Sequence, residues 1–186
     1  SGEGNDWTPN NFTASDVVAD SPTDNFATLN PLSGANVGTF SDGNLAVATT
    51  TAGNNVATIG VTSGKWYWES QFTLDRYYAA GITNENGVSH SGSMSVGGSN
   101  SVGYWSQGGI YDSGGLVSSV ASYTSSDVVA CAVDMDAGNV KFYKNNTLVY
   151  TYTFGSSGAG IEFNTLFPAV NGGGSGSRSV KLNFGQ

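Results

Sequence analysis

The sequence predicts an all-β domain, a sandwich of two antiparallel β-sheets, and three observations predict it. Apolar residues recur with period two or in short runs, and no stretch of useful length carries a helical period. Gly is frequent at 27 residues of 186, about twice the usual share of about 7%, and with Asn it supplies the positive-φ conformations of tight turns. Val128 to Met135 is apolar on both faces apart from Asp134, as expected of a strand inside a sheet covered on both sides.

The strands follow in order. In Gly43–Thr49, Leu45, Val47 and Thr49 share a face, and Asn55–Val61 reads as the next strand. In Gly64–Phe72, alternation puts Trp66, Trp68 and Phe72 on the core side and Tyr67, Glu69 and Gln71 on the other. Tyr78–Thr83 follows a turn near Asp75 and Arg76. Residues 84 to 101 form a long polar loop with almost no core-forming residues, and long loops in compact domains are often functional. Val102–Ser106 is a short strand, and the glycine pairs Gly108-Gly109 and Gly114-Gly115 bracket Ile110–Asp112. After Val128–Met135 come the turn Asp136–Asn139, the strand Val140–Lys144, the turn Asn145-Asn146 and the strand Leu148–Phe154. Phe167–Val170 has Pro168 near its start, where a missing N–H is tolerated, and Val180–Phe184 alternates with Val180, Leu182 and Phe184 inward.

Composition narrows the function. With 38% hydrophobic and 12% aromatic residues the chain can build a core, unlike a disordered segment. A net charge of −8 with six cationic side chains argues against a nucleic-acid partner and against an anionic membrane surface. No run approaches the roughly 18 apolar residues of a membrane span, so membrane insertion is not expected. The lone Cys131 permits no intrachain disulfide and reads as a buried thiol. Ser1–Asn5 reads as the end of a linker in a longer protein. One structural domain is expected, with residues 1–39 as a lead-in packed on a sandwich formed by 40–186.

Six landmarks in order carry a family resemblance. They are Gly64-Lys-Trp-Tyr-Trp-Glu69, Ala80-Gly-Ile82, Val102-Gly-Tyr-Trp105 with Ile110-Tyr111, Asp127 to Asn145, Leu166-Phe-Pro-Ala-Val170, and Val180-Lys-Leu-Asn-Phe-Gly185. Over residues 40 to 186 the chain resembles a SPRY domain, the core of the B30.2 family. The resemblance implies a concanavalin-like jelly-roll sandwich that binds proteins or peptides with loops at one edge, while related lectin-like sandwiches bind sugars. Trp7-Thr-Pro-Asn-Asn-Phe12, Asp20 to Phe26, Leu29-Asn-Pro31 and the closing Asn183-Phe-Gly-Gln186 resemble SPRY domains of bacteriophage and marine-metagenome virion proteins. That implies a tail-fibre or virion location outside the cell, a host-surface glycan or protein as partner, and room for a homo-oligomer.

Catalytic patterns are scarce. His90 lies in a Ser/Gly-rich loop without a Gly-x-Ser-x-Gly elbow, and reads as a solvated or ligand-contacting residue rather than a triad base. Glu69 and Glu162 are isolated carboxylates, without the Glu-x-Asp-x-x-Glu strand pattern of sandwich glycosidases. Asp134-Met-Asp136 begins like a calcium loop, but Asn145 stands at the acidic twelfth position, so a β-turn is expected. Asp16, Asp20 and Asp24 are surface acids that could hold calcium but read as turn residues. Gly172–Gly176 precedes no helix and reads as a loop, not a phosphate cradle. Asn11-Phe-Thr13 and Asn145-Asn-Thr147 match the glycosylation sequon, which arises often by chance. No cofactor and no metal is expected. A binding role is expected instead, with Tyr77, Tyr78, Asn84, Glu85, Asn86, His90, Trp105, Tyr111, Asp112 and Asn171 as ligand-binding residues; Tyr123 is a further aromatic near a strand end. A structural or oligomerising fibre domain, or a lectin-like glycan hydrolase, are the alternatives.

Overall fold

The structure, a computed structural model, describes residues 25–33, 38–73, 77–94, 100–172 and 178–186. The described residues form thirteen strands: β1 (Thr39–Ser41), β2 (Ala46–Thr49), β3 (Gly53–Val56), β4 (Lys65–Phe72), β5 (Tyr78–Asn84), β6 (Ser101–Trp105), β7 (Gly109–Asp112), β8 (Gly115–Ser119), β9 (Val128–Asp134), β10 (Asn139–Lys144), β11 (Thr147–Thr153), β12 (Leu166–Gly172) and β13 (Arg178–Asn183). They form a seven-stranded sheet in the order β1-β2-β13-β4-β9-β10-β11 and a six-stranded sheet in the order β3-β12-β5-β6-β7-β8. Every strand pairing is antiparallel. The described residues contain no α-helix, only a 3-10 turn at Glu85–Gly87. The all-β two-sheet sandwich is therefore the fold.

The core lies between the sheets, because alternation sends every second side chain inward. Trp68, Phe72, Val129, Cys131, Val133 and Phe142 come from the seven-stranded sheet, and Tyr78, Ile82, Val102, Tyr104, Ile110 and Val170 from the six-stranded one. Rings organise its centre. Phe72 stacks on Tyr78 at 4.5 Å, and Tyr123 meets Tyr104 edge-on at 4.8 Å. The Tyr123 hydroxyl donates to the carbonyls of Tyr78 (3.1 Å) and Tyr104 (3.0 Å), so a loop residue clamps two strands. Cys131 is fully buried, as expected, and burial raises its thiol pKa far above the ordinary range.

Several local expectations are corrected. Trp66 is not core but 45% exposed. Its alternation with Trp68 is real, yet β4 runs past the packed region, and the indole N–H is tied back to the Ser63 carbonyl at 2.7 Å. The strand expected at 55–61 lies earlier, at Gly53–Val56, followed by isolated bridges at Ala57 and Val61. β9 is interior within its sheet, but its outer face is not covered by a second layer. The residues there are Ala130 and Ala132, overhung by taller neighbours on β4 and β10. Pro168 sits inside β12 between β3 and β5. It is tolerated because its carbonyl accepts from Ala57 N, beyond the end of β3, and its nitrogen faces the same way. Asp134 and Asp136 serve the expected turn: Asp134 accepts from Ala137 N at 2.9 Å and pairs with Lys65, and Asp136 accepts from Gly64 N at 3.2 Å. Asn145-Asn146 makes the hairpin turn with φ of 49° and 64°, the left-handed pair a two-residue turn requires. The expectations for Asp16, Asp20, Asp24, Asp75, Arg76, the Asn11 sequon and Gly173–Gly176 lie outside the described residues.

Buried tyrosines make the fold sensitive to alkali. Burial pushes Tyr104 and Tyr152 up to about 12, and Tyr123 well above its ordinary value. An unfolded chain releases these protons near pH 10. Above that pH the unfolded state binds fewer protons than the native state, so stability falls as pH rises. Urea midpoints are expected to hold up to about pH 8, to begin falling as the unfolded chain's Cys131 thiol ionises at about pH 8.5, and to drop more steeply above about pH 10, with absorbance of the buried tyrosinates lagging until unfolding. A midpoint unchanged at pH 11 would contradict this assignment.

Candidate functional site: the outer face of the six-stranded sheet

The register of the six-stranded sheet places three rows of residues on its outer face. One runs Asn54, Asn171, Ala79, Trp105, Gly109; the second runs Val56, Ala169, Gly81, Gly103, Tyr111, Leu116; the third, shorter, runs Phe167, Thr83, Ser101. The middle of this face is small: Ala79, Gly81 and Gly103 leave a depression. Met94 fills it. This side chain is fully buried among Val56, Ala79, Trp105 and Ala169, and a Cβ on Gly103 would come within 2.9 Å of its sulfur.

Residues 84–94 of the loop expected to be polar are thus folded back over the sheet and anchored by Met94. Polar pins complete the anchoring. Asn54 donates to Gly87 O (2.8 Å) and Ser101 Oγ (3.2 Å), and its backbone N–H donates to His90 O (3.0 Å). Asn171 donates to Asn54 Oδ1 (2.8 Å) and Gly92 O (2.9 Å). Asn84 accepts from Asn86 N and Gly87 N, which starts the 3-10 turn, and donates to Glu162 O at 2.9 Å.

These contacts sort the predicted ligand-binding residues. Tyr78 lies in the core between the sheets, and Asn84, Trp105, Asp112 and Asn171 are also buried. Asp112 accepts from the Tyr152 hydroxyl (3.0 Å) and from Gly114 N (2.7 Å). The polarity of Asn84, Asp112 and the Asn171 amide serves the scaffold, because they supply partners to buried polar groups. Tyr123 likewise belongs to the core. Tyr77 is 48% exposed at the start of β5 and has a left-handed backbone, φ 60°. Glu85 and Asn86 are exposed on the folded-over loop, and His90 and Tyr111 are half-buried.

What remains accessible is a compact patch. Tyr111 packs edge-on against Trp105 at 6.1 Å, and across the β7–β8 hairpin it stands opposite Leu116, which is 54% exposed. Sequence reasoning missed Leu116 because β8 carries no strong alternation. It missed Met94 although a lone large apolar residue in a Ser/Gly loop, facing small residues at Ala79, Gly81 and Gly103, is a readable sign of an anchor.

No arrangement suited to nucleophilic catalysis is assembled among the described residues. His90 Nε2 lies 3.2 Å from the Ser93 carbonyl, not beside a carboxylate. Glu69 is bound to Tyr67 and Asn183, whereas Glu162 lies in the β11–β12 loop beside Asn84. No group of three His, Cys, Asp or Glu residues among the described ones is placed to hold a metal ion.

A family model described as the SPRY domain matches residues 65–186. The chain belongs to the SPRY domain family. The matched range spans β4 to β13, while β1, β2 and β3 precede it and still complete both sheets of this SPRY domain. Among curated proteins, the E3 ubiquitin-protein ligase TRIM69 of Mus musculus is 29% identical over 125 residues, covering 66% of this chain. The match takes in 25% of TRIM69, so the chain spans about a quarter of that relative's length. Among solved structures, the SPRY domain of human HERC1 superposes with a TM-score of 0.62 at 21% identity, covering 76% of this chain and 89% of that one. The TRIM65 PSpry domain gives 0.66 at 16% identity, covering 86% and 90%. The stonustoxin structure gives 0.62 at 20% identity, covering 85% of this chain and 27% of that one. These likenesses establish the sandwich as the SPRY fold.

Proposed function

We propose that this SPRY domain is a non-catalytic binding module that recognises a host-surface partner, a protein in preference to a glycan at this face, on behalf of a virion-type parent protein outside the cell. The observation that carries the reading is the Tyr111–Leu116 pair, a half-buried aromatic ring beside an exposed leucine on the β7–β8 hairpin, near the pinned segment that offers Glu85 and Asn86. An apolar centre with a polar rim suits a protein surface. Family membership supports it, since SPRY domains mediate protein–protein interaction in TRIM and HERC proteins. The virion setting rests on the resemblance of the opening and closing motifs.

Rigidity matters to the reading. Met94 and the asparagine pins hold residues 84–94 in place before any partner arrives, so little ordering entropy is lost there on binding. The test is binding of the immobilised domain to purified envelope proteins from candidate bacterial hosts. Tyr111→Ser and Leu116→Ser are each expected to weaken a specific complex by about 2 kcal/mol, roughly 30-fold. Glu85→Gln should act more weakly, because it sits on the rim. Complexes indifferent to both hairpin variants would overturn the assignment of this face.

A further inference from the structure

The opposite side of the molecule carries a second candidate site, independent of the face just described. On the outer face of the seven-stranded sheet, β4, β9 and β10 run side by side. Their register sets Tyr67 and Lys141 on either side of Ala132, and Tyr143 opposite Ala130. Strands spaced about 4.8 Å apart put the β4 and β10 side chains roughly 10 Å from each other. The small alanine between them leaves a slot, part of a concavity of about 280 Å³ that Asn139 also lines.

Two features of this slot point to a ligand. Tyr67 is 52% exposed, and its hydroxyl is already committed to Glu69 Oε1 at 2.8 Å. What it offers is therefore a ring face held in one orientation. Lys141 is the exception among the lysines: Lys65, Lys144 and Lys181 each pair with a carboxylate, and Lys141 pairs with none among the described residues.

The matching ligand needs a flat C–H face for Tyr67 and an anionic group for Lys141. A pyranose bearing a carboxylate has both. An acidic peptide has the charge but no rigid ring. We propose that this slot binds the uronate units of an acidic polysaccharide, with Tyr67 stacking on the ring and Lys141 pairing with the carboxylate. The chain's net charge of −8 repels polyanions at long range, so any retention reports these local contacts and not general attraction.

The test is calorimetric titration of the full chain with trigalacturonate and trimannuronate, with maltotriose as the neutral probe and hexaglutamate as the acidic peptide. Binding of at least one uronate trimer is expected, at least ten-fold tighter than either control. Lys141→Gln and Tyr67→Ala should each weaken it ten-fold or more, and Ala132→Leu should block it by filling the floor. All three positions are on the sheet surface, and unchanged urea midpoints will show that the variants fold. Failure of both uronates to bind at millimolar concentration overturns the proposal. Equal binding of hexaglutamate overturns it too, because charge alone would then suffice. Either failure leaves the Tyr111–Leu116 face untouched, since that face is read with protein probes and different variants.

Discussion

Replacing Gly81 by alanine is expected to unfold this domain or to cost it about 3 kcal/mol or more. Gly81 lies in the middle of β5 and pairs with Gly103 on β6. A Cβ there would come within 2.0 Å of the Val102 carbonyl oxygen and 2.7 Å of the Gly103 Cα. Both are backbone atoms of the paired strand, so no rotamer change relieves the clash. The strands would have to separate, taking with them the depression that receives Met94. Gly155→Ala is the matched comparison. Gly155 has φ 75° with nothing within 4 Å of its Cβ position, so it carries only the left-handed backbone penalty of about 1–2 kcal/mol. Urea titration of both variants separates packing from backbone strain. Equal losses would show that β5 and β6 are not as close as described.

Tyr123 should give the second large effect. It lies in the connection between β8 and β9, yet it is 1% exposed, at the centre of the aromatic core. Tyr123→Ala removes a ring that meets Phe72 at 5.7 Å and Tyr104 at 4.8 Å, and should cost about 3–5 kcal/mol. Tyr123→Phe keeps the ring and removes only the hydroxyl. It leaves the Tyr78 and Tyr104 carbonyls without that donor, and a loss of about 1–3 kcal/mol is expected. The difference between the variants, read from tryptophan-monitored urea unfolding, divides ring packing from the clamp. A neutral Tyr123→Phe would mean that the hydroxyl holds nothing.

The fold was legible in the sequence because strand alternation is a local signal. Trp68, Phe72, Val180 and Leu182 face inward as period two requires. Trp66 obeys the same alternation and is still exposed, since periodicity gives the face of a strand but not how far the opposite sheet extends. The site was less legible. Asn84, Asp112 and Asn171 look like ligand-binding groups, being polar residues at strand ends. Each has a partner in a segment distant in sequence: Asn84 reaches Glu162, Asp112 reaches Tyr152, and Asn171 reaches Gly92 and Asn54. Only the pairing of strands brings those together. Tyr111 was identified from its aromatic character, whereas its neighbour Leu116 becomes meaningful only through the register of the β7–β8 hairpin.

The solitary Cys131 gives the domain a property of its own. Its sulfur is sealed between the layers and the sequence holds no second cysteine with which to exchange, so no intrachain disulfide forms and reductants leave the folding of the domain unchanged. The same residue records when the layers come apart. A thiol-selective reagent can reach it only in molecules that have opened completely, and the labelling rate in native buffer counts those excursions one by one.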